Sequence, residues 1–358
     1  MLKSPEFLKS LEAEAGEALR QVLSGVPAID NVDVEVEPGG PGSRLDIVAK
    51  FAIGGRPHVI IGEVKTSGQP RHVRAALHQL RYAQRLHQNA TAVFVAPYLS
   101  EEARAVCREH NVGFLDLEGN CRIVFDSVFI ERVVPTKPSV ARRDLKSLFK
   151  PKSAQVLRVL LRAPLHGWKV VDLAQAAAVS IGHVSNVRTA LLDREWATVG
   201  PEGLQLTAPD TLLDTWRDRY EAPPGTRLRC YTTLHGEAFD KAARAALGSE
   251  GRPEILLASF SAAQWIAPFA RAGSQYFYAT DKGLDRLAAE LQLSSAAKGE
   301  NVVVTRLADE GLFRDVVEPA PGIFTTSPVQ TYLDLAAADE RGREAADHLR
   351  RETLKWLV

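Results

Sequence analysis

Arg44-Leu45-Asp46-Ile47-Val48-Ala49, followed by Val59-Ile60-Ile61-Gly62-Glu63-Val64-Lys65, decides how the first third of the chain is read. Two apolar runs of strand length flank Gly54-Gly55, a hairpin-type break. Each run carries charge that a buried strand does not hold without a purpose: Asp46 in the first, Glu63 and Lys65 at the end of the second. Side chains alternate along a strand, so Glu63 and Lys65 share one face and Val64 takes the other. Pairing of the two strands lets Asp46 reach that face. Two carboxylates and an ammonium then converge on one small volume.

Phosphodiester hydrolysis wants this arrangement. Hard oxygen ligands, here Asp46 and Glu63, suit magnesium or manganese, which neutralises phosphate and lowers the pKa of bound water. A lysine beside them, Lys65, orients the attacking water or stabilises charge developing at phosphorus. The order Asp, one hairpin, Glu-x-Lys resembles the PD-(D/E)xK nuclease superfamily, which includes restriction endonucleases and archaeal Holliday-junction resolvases. The resemblance implies a restriction-endonuclease-like α/β domain and two further site residues. One is a glutamate on the first helix, matched by Glu14, whose other reading is a surface carboxylate; the other is a glutamine on the helix after the Glu-x-Lys strand, matched by Gln79. Leu45 stands where that pattern has proline, a departure that does not touch metal ligation. The alternative for the same residues is a solvated Glu63–Lys65 pair on a half-exposed sheet, with Asp46 in a turn.

The flanks fit the first reading. Residues 5–24 have helical spacing, with Leu8, Leu11, Ala15, Leu19 and Val22 on one face and Glu12 and Glu14 beside it. Asp33–Glu37 alternates as a strand, and Pro38–Gly42 is a loop. Thr66-Ser67-Gly68-Gln69-Pro70 is a turn of small polar residues suited to approach by a phosphate backbone. The helix that follows, from Arg71 to Asn89, turns Val73, Leu77, Leu80 and Leu86 inward. It carries Arg71, His72, Arg74, His78, Arg81 and Arg85 with no acid among them. A cationic face beside a carboxylate cluster suits a polyanion. Gln79 and Tyr82 have a spacing similar to the resolvase helix.

Strand, helix and strand over Thr91–Ile123 imply a parallel βαβ unit. Asp116 and Asn120 read as turn residues. From Thr136 to Arg162 basic residues, among them Arg142, Arg143 and Lys146, face only Asp144, and prolines punctuate the stretch. That predicts a basic linker over 136–152. Ser153–Asp214 has the rhythm of a winged helix-turn-helix: helices over 156–161 and 170–178, a tight turn capped by Ser180, a third helix to Asp193, and a wing around Pro201-Glu202-Gly203. With Ile181, Val184, Val187 and Leu191 inward, the third helix presents His183, Ser185, Asn186 and Arg188 for reading base edges. Protein contact or dimerisation is the other use of such a module. Alternating helices and strands over 225–358 read as a further α/β domain.

Pro97-Tyr-Leu-Ser-Glu-Glu with Gly113-Phe-Leu-Asp-Leu-Glu-Gly-Asn, and Thr326-Ser-Pro-Val-Gln-Thr-Tyr-Leu-Asp-Leu-Ala with Arg341-Gly-Arg-Glu-Ala-Ala-Asp, resemble AbiEi-type proteins. These are antitoxin-like transcriptional regulators of type IV toxin–antitoxin systems. The resemblance implies DNA and a cognate toxin as partners, and a nucleotidyltransferase-like C-terminal domain. Nucleotidyl transfer needs a Gly-Ser turn followed by paired aspartates. Gly273-Ser274 is followed by a lone Asp281, so this domain reads as a non-catalytic scaffold, with Asp334 a fold-stabilising polar group.

The expected layout is therefore a multidomain α/β protein: 1–135 nuclease-like, 136–152 linker, 153–220 winged helix, 221–358 C-terminal. Lys plus Arg and Asp plus Glu are both 44, so net charge identifies no partner and only its distribution informs. Cys107, Cys121 and Cys230 form no C-x-x-C and read as packed thiols of a reducing cytosol. No apolar run reaches the ~20 residues that span a bilayer, and the N-terminus has no signal-peptide core. The expectation is a cytoplasmic DNA-binding protein whose partners are DNA, a cognate toxin and, in a homodimer, a second copy of the chain, with no membrane partner. A nuclease and a repressor or antitoxin with a relic nuclease-like domain are the two functions it leaves open.

Overall fold

The computed structural model describes residues 5–36, 45–87, 89–135, 138–248, 251–269 and 273–356; of 140–143 the backbone alone is described. The fold is mixed α/β. Its chain divides into two compact units, one over 1–144 with 192–195, the other over 145–191 with 196–358.

The first unit runs α1 (Pro5–Ser24), β1 (Ile29–Val36), β2 (Ile47–Ile53), β3 (Arg56–Val64), α2 (Pro70–Leu86), β4 (Ala90–Ala96), α3 (Glu101–Glu109), β5 (Gly113–Asp116), β6 (Cys121–Phe125) and β7 (Val128–Arg132), with α4 (Ser139–Leu148) at its end. The seven strands form one sheet in sequential order. β3, β4 and β5 run parallel and the other neighbours antiparallel. Gly54 and Gly55 both have positive φ (53° and 78°), and Ile53 pairs with Arg56 across them. That two-residue turn matches the twist of the strands it joins, and glycine takes it without steric cost.

Alternation gives the sheet two buried faces. Ile47, Ala49, Ile60 and Val64 pack against Leu11, Ala15, Leu19 and Leu23 of α1. Ile61, Phe94 and Phe114 pack against Val73, Leu77 and Leu80 of α2 and against Val106 and Cys107 of α3. Leu86, expected inward, is 64% exposed in the last turn of α2. Gly68 has a structural reason: a Cβ there would strike the Tyr98 carbonyl, and its own carbonyl accepts from Ser100 N at 3.0 Å. Gly68 is thus packed down, while Thr66, Ser67 and Gln69 beside it stay half-buried. Asp116 and Asn120 do serve a turn. The Asp116 carboxylate accepts from Leu99 N (3.0 Å), Asn120 N (2.8 Å) and Asn120 Nδ2 (2.8 Å), all buried.

The basic stretch expected as a linker is helical over Ser139–Leu148. Arginine, lysine, leucine and alanine are good helix formers, and the flanking prolines mark its ends.

The second unit continues with α5 (Pro151–Arg162), α6 (Val170–Ala177), α7 (Ile181–Asp193), β8 (Ala197–Gly200), β9 (Gly203–Leu206), α8 (Pro209–Arg217), β10 (Gly225–Tyr231), α9 (Gly236–Leu247), β11 (Ile255–Leu257), α10 (Ser259–Ile266), β12 (Gln275–Ala279), α11 (Asp281–Glu290), β13 (Ser294–Ser295), β14 (Val302–Leu307), a 3-10 turn (Glu310–Arg314), β15 (Val316–Ala320), β16 (Ile323–Thr326), α12 (Pro328–Ala336) and α13 (Glu340–Thr353). A second seven-stranded sheet has the order β13-β10-β14-β12-β11-β16-β15. Ala246 and Leu247 of α9 and Leu287 of α11 pack on one face with Phe277 and Val304. Tyr278 and Leu256 lie on the other with Phe313.

Residues 153–191 and 196–356 fall in one compact unit. The reason is α5, where every residue from Ser153 to Leu161 is buried. Its polar side chains bind the C-terminal part: Gln155 donates to Asp309 (3.2 Å), Arg158 donates to Gln330 (3.2 Å), and Arg158 pairs with Asp315 (3.3 Å). From α13, Arg350 reaches Asp214 and Asp210 of α8 (2.5 and 2.6 Å). Cys107, Cys121 and Cys230 are free and buried. Among the described residues, no helix is long and apolar enough to cross a membrane.

Candidate functional site

The pairing of Ile47 with Gly62 puts Asp46 opposite Glu63 where the β2–β3 ladder ends. β2 begins at Ile47, so the ladder no longer uses the Val64 N–H; Asp46 Oδ2 accepts it at 2.7 Å. Glu63 is 1% exposed on the α2 face of the sheet. Its Oε1 takes the Lys65 ammonium and its Oε2 accepts from Gln79 Nε2 at 2.6 Å. Asp46, Glu63, Lys65 and Gln79 therefore converge. Burial raises the Glu63 carboxyl above its ordinary range; the Lys65 hydrogen bond opposes that, and the facing Asp46 charge adds to it.

Glu14 does not join them. It is exposed on α1 and accepts from Ser10 at 3.1 Å, whereas Glu12, one of the two acids beside the apolar stripe, is 4% exposed. Glu12 lies on the line Glu12, Gly16, Leu19, Leu23, all buried. A Cβ at Gly16 would meet Val36 Cγ2 at 2.6 Å, so this glycine lets α1 approach β1 closely. Gly16 four residues after Glu12 was the signal available in the sequence.

Two carboxylates facing each other beside one ammonium form a place where added positive charge is favourable, and both are hard oxygen donors. The donor set fits magnesium or manganese on those grounds. Among the described residues, no group of three or more His, Cys, Asp or Glu side chains is arranged to hold a metal ion. A cation at this pair would take its remaining ligands from water or phosphate.

On α2, Arg71, Arg74 and Arg81 are exposed. Arg74 and Arg81 reach the two ring nitrogens of His110, at 3.4 and 3.2 Å. Lys146 forms an exposed ion pair with Glu221 at 2.6 Å. The side chains of Arg142 and Arg143 lie outside the described residues.

In the second unit, Ala178 takes a left-handed conformation that ends α6, and Ser180 Oγ accepts from His183 N at 3.2 Å to start α7. β8 and β9 pair with Gly200 opposite Gly203, and Trp168 adds a bridge to Leu204. Val184, Val187 and Leu191 are buried under α7, but Ile181 is 53% exposed at its first turn. Ser185 and Asn186 are exposed, Arg188 half-buried. His183 is turned against α5, 3.1 Å from Ser153 Oγ, so it is not presented freely.

Sequence reading placed Asp334 in the fold without its neighbours. Its Oδ1 accepts from Tyr220, Tyr278 (2.9 Å) and Gln330 (2.9 Å). Burial pushes its carboxyl up to about 6, against the pull of those three donors and of Arg158. The folded chain thus holds this proton more tightly than the unfolded chain. The stability so contributed is complete below about pH 4, the ordinary Asp range, and is lost as pH rises through about 6. Relative to Asp334→Asn, the wild type is expected to lose about 2 kcal/mol between pH 4.5 and 7.5. Urea unfolding of both proteins at the two pH values checks this.

Residues 205–355 match the model of a family described as a transcriptional regulator, AbiEi antitoxin, of type IV toxin–antitoxin systems. One solved structure, described as "Structure of EndoMS in apo form", is similar at 18% identity with a TM-score of 0.22. The match covers 30% of this chain and 45% of that one, so the chain spans less than half of its length. No curated protein matches the chain.

Proposed function

We propose that this is a DNA-binding protein with a divalent-metal-dependent phosphodiester hydrolase site of PD-(D/E)xK type in its first unit, directed to DNA by a winged helix in its second. The observation that carries the proposal is the convergence of Asp46, Glu63, Lys65 and Gln79 at the end of one strand pair. Asp46 and Glu63 would hold magnesium or manganese, which supplies Lewis-acid neutralisation of the scissile phosphate. Lys65 donates at the same point, where it can orient water or meet charge developing on phosphorus. Gln79 fixes the Glu63 carboxylate in place. On α2, Arg71 pairs with Asp193 (3.6 Å) and Arg74 with Glu195 (2.9 Å), so the cationic approach for the backbone rests on the exposed Arg81 and Arg85.

A second reading is an AbiEi-type transcriptional repressor or antitoxin, with a cognate toxin as partner and a first unit that does not cut. The family match over 205–355 favours it. Incubation with supercoiled, linear, branched and single-stranded DNA, with magnesium, manganese or chelator, separates the two: metal-dependent cleavage of any form supports the hydrolase, and none supports the repressor. Under either reading α7 faces the major groove. Arg188→Ala or Asn186→Ala is then expected to weaken specific DNA binding by ~1–3 kcal/mol, with far less effect on non-specific DNA. Fluorescence anisotropy with cognate and scrambled duplexes measures the difference.

A further inference from the structure

We propose that the second unit binds a small amphoteric organic molecule in a crevice on its sheet, with the protonated amine at Asp334 and the anionic group at Arg227. This goes beyond the DNA-directed reading and does not depend on it. The crevice has a volume of about 490 Å³, within the size range of small-molecule sites. Its floor is one face of three strands. Arg227 of β10 pairs with Thr305 of β14, which pairs with Tyr278 of β12, and Tyr276 lies two residues back on the same face. Phe260 of α10 and Asp334 of α12 form the walls.

The polar groups specify the ligand. Asp334 Oδ1 already accepts three hydrogen bonds, whereas Oδ2 is buried and accepts none. A buried acceptor without a donor is costly, and a donor brought by a ligand relieves that cost. Arg158, the nearby cation, is committed to Asp315 and Gln330, so the compensating charge must come from elsewhere. At the other side Arg227 is exposed and makes no ion pair among the described residues. Asp334 and Arg227 flank one residue: Tyr278 donates to Asp334 and feels the Arg227 charge. A molecule that carries both an amine and an acid satisfies the two groups. Its body would lie against Tyr276 and Phe260, whose rings pack on each other with centroids 5.9 Å apart, an aromatic surface that favours a flat apolar group.

Calorimetric titration of the full chain at neutral pH uses three probes: L-tryptophan, tryptamine without the acid, and indole-3-propionate without the amine. L-tryptophan is expected to bind at least about tenfold tighter than either analogue. Arg227→Ala should bring L-tryptophan to the tryptamine level and leave tryptamine unchanged. Asp334→Asn should bring it to the indole-3-propionate level. Arg227 is exposed, so its variant carries the test even if Asp334→Asn does not fold. Absence of binding by all three probes at millimolar concentration overturns the proposal, as does equal binding of all three with no response to Arg227→Ala.

Discussion

Glu63→Gln and Lys65→Ala are each expected to reduce metal-dependent DNA cleavage by at least about 100-fold while DNA affinity stays within about twofold. Glutamine keeps the size of Glu63 and its place beside Gln79, so the fold is retained. The substitution removes the charge that would hold the cation. Lys65→Ala leaves the carboxylates but removes the donor beside them. Cleavage and binding measured on the same DNA distinguish the cases. Loss of both marks a structural role; cleavage that survives both substitutions locates the chemistry elsewhere.

Arg158→Met is expected to destabilise the second unit by about 3 kcal/mol. Arg158 is 5% exposed, and burial lowers its guanidinium to about 10 even with carboxylates nearby. Removing it leaves Asp315, 6% exposed, with only Arg162, which is itself largely solvent-exposed, and takes the donor from Gln330. Replacing both charges, as Arg158→Met with Asp315→Leu, should recover most of the loss, because a packed apolar pair carries no desolvation penalty. Urea unfolding followed by tryptophan fluorescence reports both, because all five tryptophans lie in this unit.

How far such features are legible in the sequence depends on how local they are. The Gly54-Gly55 turn, the alternation through Glu63 and Lys65, and the Ser180 cap are each set within a few residues, and the structure has all three. Gln79 was legible only through the resemblance, which implies a glutamine on the helix after the Glu-x-Lys strand; that helix begins at Pro70. The inward acid of α1 was not, because Glu12 and Glu14 both border the stripe and only close approach at Gly16 separates them. Leu86 and Ile181 fit the apolar period but sit in a terminal turn, where the partner surface has ended. β10 takes its partners β13 and β14, and β16 its partner β11, from far along the chain. Arg158 and Asp334 were beyond reach for the same reason: Arg158 meets residues 315 and 330, and Asp334 meets 220 and 278.

Manganese titration followed by electron paramagnetic resonance tests the central claim most directly, because it reads the cation at Asp46 and Glu63 without requiring cleavage. The wild-type chain should bind manganese, and Asp46→Asn and Glu63→Gln should each abolish that binding while the fold is retained. Manganese that stays free in solution, or binds equally well to both variants, contradicts a metal site at the end of the β2–β3 hairpin.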